Sequence, residues 1–104
     1  MAGCAKDDNS YKAQIRVVTT SGIPIQNCNI KLYVPVPNSN EFYEVTDSEG
    51  MADFEIDNKA FYDVRVWKGS WRGCGYVEFI KGETVIKDVY IRPWGDPLNN
   101  TCWN

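Results

Sequence analysis

The stretch Thr46-Asp47-Ser48-Glu49-Gly50-Met51-Ala52-Asp53-Phe54-Glu55-Ile56 decides the fold. Its first half is a turn: Asp47 and Ser48 can bond nearby backbone N–H groups, and Gly50 supplies a permissive backbone position. Its second half alternates, with Ala52, Phe54 and Ile56 set against Asp53 and Glu55. A period of two puts the apolar residues on one face of a strand and the acids on the other. Asp47, Glu49 and Asp53 lie close together, but a calcium loop needs more oxygen ligands at tighter spacing. Asp47 is therefore expected to hold the turn, and no metal site is expected.

The same alternation recurs along the chain from about Tyr11 to Arg92. It predicts strands over about Tyr11–Thr19, Cys28–Val34, Phe42–Thr46, Met51–Ile56, Phe61–Trp67, Cys74–Ile80 and Thr84–Arg92. The inward residues are expected to be Ile15 and Val17; Ile30, Leu32 and Val34; Tyr62, Val64 and Val66; Val77 and Phe79; and Val85, Val89 and Ile91. Between strands stand Thr20–Ile25, the prolines Pro35 and Pro37, a glycine-rich loop over Lys68–Gly73, and Lys81–Glu83. Seven short strands separated by turn signals predict an all-β fold, a seven-stranded antiparallel β-sandwich of Ig-like topology, with a closed barrel as second choice. Residues 11–92 form this domain, 1–10 a tether, and 93–104 an irregular tail.

Composition narrows the function. The chain has 104 residues, enough for one domain, and a net charge of −3 with no basic run, so nucleic-acid binding lacks its electrostatic footprint. No apolar run approaches the ~18 residues of a membrane span. There is no histidine, which removes the commonest general base and the commonest metal ligand together. The expectation is a protein that is not an enzyme and needs no cofactor.

The order of features from Ile15 to Ile91 resembles the transthyretin-like, or carboxypeptidase-regulatory-like, β-sandwich. Gly22-Ile23-Pro24-Ile25 is similar to that family's Gly-x-Pro-hydrophobic turn. Asn27-Cys28-Asn29-Ile30 stands where the family enters its second strand, with Cys28 replacing a small residue. Thr46-Asp47-Ser48-Glu49-Gly50 resembles its Thr-Asp-x-x-Gly turn, and Tyr62-Asp63-Val64-Arg65-Val66 its Tyr-x-Val-x-Val strand. The resemblance implies a structural accessory of secreted and surface proteins. Family members that hydrolyse small substrates rely on histidine, which this chain lacks.

The first residues carry an address. Ala2-Gly3-Cys4 is the small-small-Cys pattern at which bacterial lipoprotein precursors are cut, and Lys6-Asp7-Asp8 resembles the export tag of Bacteroidetes surface lipoproteins. This reading makes Cys4 the lipidated residue and expects an apolar signal of about 7–15 residues upstream of Met1. It places the protein on the outer membrane at the cell surface, with the lipid as its one membrane contact.

Four cysteines in an exported domain imply a disulfide. In the sandwich, the starts of the second and sixth strands fall at one end, so the expected pair is Cys28–Cys74. Cys4 then has two exclusive fates, lipidation or a bond to Cys102; if it is lipidated, Cys102 is either free or bonded to Cys28 or Cys74. The candidate contact residues are Trp67, Trp71, Arg72, Trp94 and Trp103, which can stack on sugars or anchor a protein or simply cap the ends of the core. The expected partners are proteins of a surface assembly; the alternative is a glycan, bound by an accessory protein through exposed tryptophans such as Trp71.

Overall fold

In the structure, a computed structural model, residues 10–34, 36, 40–57, 60–97 and 102 are described. Seven strands follow in order: β1 (Tyr11–Val18), β2 (Asn29–Tyr33), β3 (Phe42–Val45), β4 (Met51–Ile56), β5 (Ala60–Lys68), β6 (Trp71–Phe79) and β7 (Thr84–Pro93). Among the described residues there is no α-helix. The strands form a single sheet in the order β3-β2-β5-β6-β7-β1-β4. Its edge strands, β3 and β4, lie against each other beside the Thr46–Gly50 turn that joins them, so the sheet nearly closes on itself.

The sheet is mixed, and this corrects the expectation of a wholly antiparallel arrangement. β1 and β7 pair in parallel from Lys12↔Thr84 to Val18↔Tyr90. The cause is parity: every other pairing is antiparallel, the chain reverses at each connection, and the first and last of seven strands therefore run the same way. Neighbouring first and last strands can only be parallel.

Two wings are visible within the sheet. One is β4-β1-β7, the other β3-β2-β5-β6. They join where β6 pairs with β7 over just three positions, Trp71↔Pro93, Arg72↔Arg92 and Gly73↔Ile91. A Cβ on Gly73 would collide with the Tyr90 carbonyl and the Val66 side chain, so the approach of the two strands at this corner requires glycine. Beyond Gly73 the two strands part.

The alternating inner faces of the two wings make one core. Ala13, Ile15, Val17, Ala52, Phe54, Ile56, Val89 and Ile91 meet Ile30, Leu32, Val64, Val66, Val77 and Phe79. A row of edge-to-face rings, Phe42–Tyr62–Phe79, crosses the second wing with centroids 5.7 and 5.8 Å apart, the geometry that aromatic quadrupoles favour. All the inward residues expected on β1, β4, β5, β6 and β7 take that face, with Tyr62 and Val85 only partly buried. On β2 Ile30 and Leu32 do so, and the strand ends at Tyr33.

The boundaries shift most at β5–β6. The Lys68–Gly73 segment, expected as a loop, is a tight hairpin in which Lys68 pairs with Trp71 across the two residues Gly69 and Ser70. Gly69 has φ 57°, the left-handed geometry that two-residue hairpins demand. Trp71 is therefore a strand residue.

Turns and strands are locked by two side chains. Asp47 accepts from the N–H groups of Glu49 (2.8 Å) and Met51 (3.0 Å), as its place in the turn predicts. Thr46 is buried, and its hydroxyl accepts from the Cys28 N–H (2.8 Å) while donating to the Ile25 carbonyl (2.6 Å). Its backbone bonds Asn27 and Cys28 as well. Replacing Thr46 with valine keeps the shape but strands a buried N–H. Thr46→Val should lower stability by about 2 kcal/mol in a denaturant titration; an unchanged midpoint would show that water reaches the Cys28 amide.

Candidate functional site

Side-chain parity decides the cysteines. Cys28 is in phase with Ile30 and Leu32 and is fully buried. Its thiol faces the Trp67 carbonyl (3.5 Å) and the Asn29 carbonyl (3.6 Å). Cys74 is out of phase with Val77 and Phe79, so it faces outward. The two lie on opposite faces of the same wing and cannot bond, which overturns the expected Cys28–Cys74 pair. Cys74 instead joins Cys102, across a sequence separation of 28 residues and a Cα–Cα distance of 6.0 Å. This also removes Cys102 as a partner for Cys4. The disulfide pins the tail beside the β6–β7 corner, where the Cys102 sulfur lies 3.7 Å from the Gly73 carbonyl. Loop-closure entropy makes such a link worth about 3–4 kcal/mol.

The contact residues expected from sequence separate into two places. Trp67 and Arg72 are opposite each other in register on β5 and β6, on the outer face. The Arg72 guanidinium lies 5.1 Å above the Trp94 ring and donates to the Gly69 carbonyl (2.6 Å). Trp94, 55% exposed, is held by its N–H to the Ser70 carbonyl (2.7 Å). Trp71 takes the inner phase at the open end of the core. It is 43% exposed and borders a mainly apolar notch of about 440 Å³ with Thr19, Ile25, Lys68 and Ile91. Cys4, Lys6, Asp7, Asp8 and Trp103 lie outside the described residues.

One concavity is not foreseen in the sequence. A cleft of about 580 Å³ runs over the outer side of the parted β6 and β7, lined by Tyr33, Asp63, Tyr76, Lys87, Tyr90 and Arg92, with the Cys74–Cys102 link at one end. Alternation puts Lys87 in the inner phase with Val85 and Val89, yet its ammonium sits 4.4 Å above the outward Tyr76 ring. The lysine stem threads the seam between the strands and carries its charge out, as long cationic side chains do. A Cβ on Gly75 would press on the Val89 side chain at 3.2 Å.

Cations and rings alternate along this whole outer face. Arg65 lies 5.0 Å above Tyr33, Lys31 lies 5.2 Å from the same ring, and Arg92 lies 5.9 Å from Tyr90. Each such contact is worth about 0.5–1 kcal/mol at an exposed site, enough to orient a side chain and too little to fix it. Two carboxylates are already committed. Asp88 accepts both Arg16 bonds at 3.0 Å, and those bonds hold its pKa below the ordinary value. Glu41 is lowered by the Tyr43 hydroxyl and by Lys31, 3.4 Å away.

A scan against protein-family models returned no match, and a search of curated proteins returned none either. Among the described residues no group of three or more His, Cys, Asp or Glu side chains could hold a metal ion, and no helix is long and apolar enough to cross a membrane.

The cysteines give a direct test. Burial pushes the Cys28 thiol up to about 11. The neutral thiol is the form the fold favours, so its contribution to stability is complete below the usual thiol range and fades as pH climbs through about 11. In the native protein at pH 8, Cys28 should resist alkylation and react only after unfolding. Peptide mapping without reduction should recover Cys74 linked to Cys102; a Cys28–Cys74 peptide would contradict the parity argument.

Proposed function

We propose that this protein is a non-catalytic, surface-exposed lipoprotein that serves as an interaction or structural module of a larger outer-membrane or cell-surface assembly. The observation that carries this reading is the Cys74–Cys102 disulfide, a bond that persists in oxidising, exported settings and is rare in the cytosol. It supports export independently of the Ala2-Gly3-Cys4 pattern. It also favours lipid over a disulfide at Cys4, because Cys102 is taken and Cys28 is sealed in the core. Cys4 is then left for lipid, with Lys6, Asp7 and Asp8 as the export tag.

The fold belongs to this proposal in its finer form: a sandwich of transthyretin-like topology. The division into wings β4-β1-β7 and β3-β2-β5-β6 around one core supports it, as does the position of the Gly22–Ile25 and Asp47–Gly50 turns between strands. An outer face of exposed rings and cations suits a docking role better than a catalytic one. Aromatic side chains and arginine are the residue types that dominate interface energetics.

A second reading, a carbohydrate-binding accessory protein, draws on the exposure of Trp71 and Trp94. Loss of glycan binding in Trp71→Ala would favour it.

In cells expressing the gene with its own upstream sequence, labelled palmitate should enter the protein and disappear in Cys4→Ala. A stable protein partner should co-purify from detergent-solubilised membranes. Absence of label refutes the anchor, and a protein recovered alone refutes the assembly.

A further inference from the structure

We infer that the cleft over the β6–β7 seam is a binding site for an acidic saccharide, a short stretch of uronic-acid-containing glycan. This deepens the carbohydrate reading by naming a ligand class and by moving the site from Trp71 to Tyr33, Tyr76 and Tyr90. It does not depend on the lipid anchor.

Size and lining come first. About 580 Å³ falls within the ~300–1,000 Å³ typical of ligand clefts. Three tyrosines border it, two of them well exposed: Tyr76 at 59% and Tyr90 at 42%. A tyrosine presents an apolar face to the C–H side of a sugar ring and a hydroxyl to its oxygens. Asp63, directly opposite Tyr76 in the β5–β6 register, is an acceptor for two sugar hydroxyls.

Charge then selects among sugars. The chain as a whole is acidic, at −3. The cleft is not: Lys87 and Arg92 line it and Arg65 borders it across the Tyr33 ring. Of its two carboxylates, Asp88 is neutralised by the two bonds from Arg16, leaving Asp63. A ligand bearing carboxylates meets local positive charge there. Lys87 is the central group: its ammonium rests on the Tyr76 ring, and the nearby carboxylate that feels its charge, Asp88, is already bonded twice by Arg16. A ligand carboxylate offers it a charge-assisted hydrogen bond in place of a ring face, and frees that face for a sugar.

Acidic peptides share the charge but not the rest. The walls are ring faces and oriented charged tips carried on strands, with the disulfide at one end, a surface suited to a stiff ligand with many hydroxyls.

Amide chemical shifts of the whole labelled chain, titrated with tetragalacturonate, provide the test. The expected result is saturable shifts at Tyr76, Lys87, Tyr90 and Arg92, weakening with added salt. Affinity should fall about tenfold in Lys87→Met, which keeps an apolar stem in the seam, and in Tyr76→Ala, a change at an exposed ring, and survive in Lys87→Arg. Tetragalacturonate that does not bind, or binds equally well to both variants, overturns the proposal. Cellotetraose binding as tightly, with dependence on Trp71, overturns the acidic cleft while retaining the carbohydrate reading. Pentaglutamate matching tetragalacturonate in the same cleft overturns the saccharide in favour of an acidic peptide.

Discussion

Three residue pairs join the two wings into one sheet. β6 touches β7 at Trp71↔Pro93, Arg72↔Arg92 and Gly73↔Ile91, and nowhere else in register. Without that corner the wings β4-β1-β7 and β3-β2-β5-β6 would be joined through their side chains and connections alone. Glycine is required because the Tyr90 carbonyl occupies the space that a side chain would fill. The parting of the strands beyond it then determines much of the surface: the seam that Lys87 threads, the cleft above it, and the outward Cys74 to which the tail is tied.

Position on the two faces explains why one sequence carries both a core and an outer face of rings and cations. Inner positions are almost wholly aliphatic or aromatic. The outer face of β2, β5 and β6 carries Lys31, Arg65 and Arg72 among Tyr33, Tyr76 and Trp67. Those cation–ring contacts are individually weak, so the face is organised yet available to a partner that offers something better. A domain of this size has a small core margin. The disulfide offsets that and ties the tail beside the cleft.

Much of this was legible in the alternation of single residues. Ala52, Phe54 and Ile56 declare β4, and Asp47 declares its turn. The cysteine pairing was legible too, although the strand-end argument pointed elsewhere: placing Val77 and Phe79 inward already forces Cys74 outward, while Ile30 and Leu32 draw Cys28 inward. Lys87 was a quieter signal, a charged residue in the inward phase between Val85 and Val89. Such a break marks a place where the sheet must open. What no local pattern could state is which strands become neighbours, and so neither the parallel β1–β7 pair nor the gathering of Tyr33, Tyr76 and Tyr90 from three strands could be read from spacing. The Lys68–Gly73 segment misled because its glycines signal a loop, whereas Gly69 closes a hairpin and Gly73 admits a carbonyl.

Inter-strand nuclear Overhauser effects between backbone protons test this corner most directly. The structure predicts antiparallel cross-peaks joining 71–73 to 91–93, parallel-type cross-peaks joining 12–18 to 84–90, and none continuing the β6–β7 ladder from 74 to 79. A continuous antiparallel ladder along the full length of β6 and β7 would contradict the account, since it would close the seam and remove the cleft.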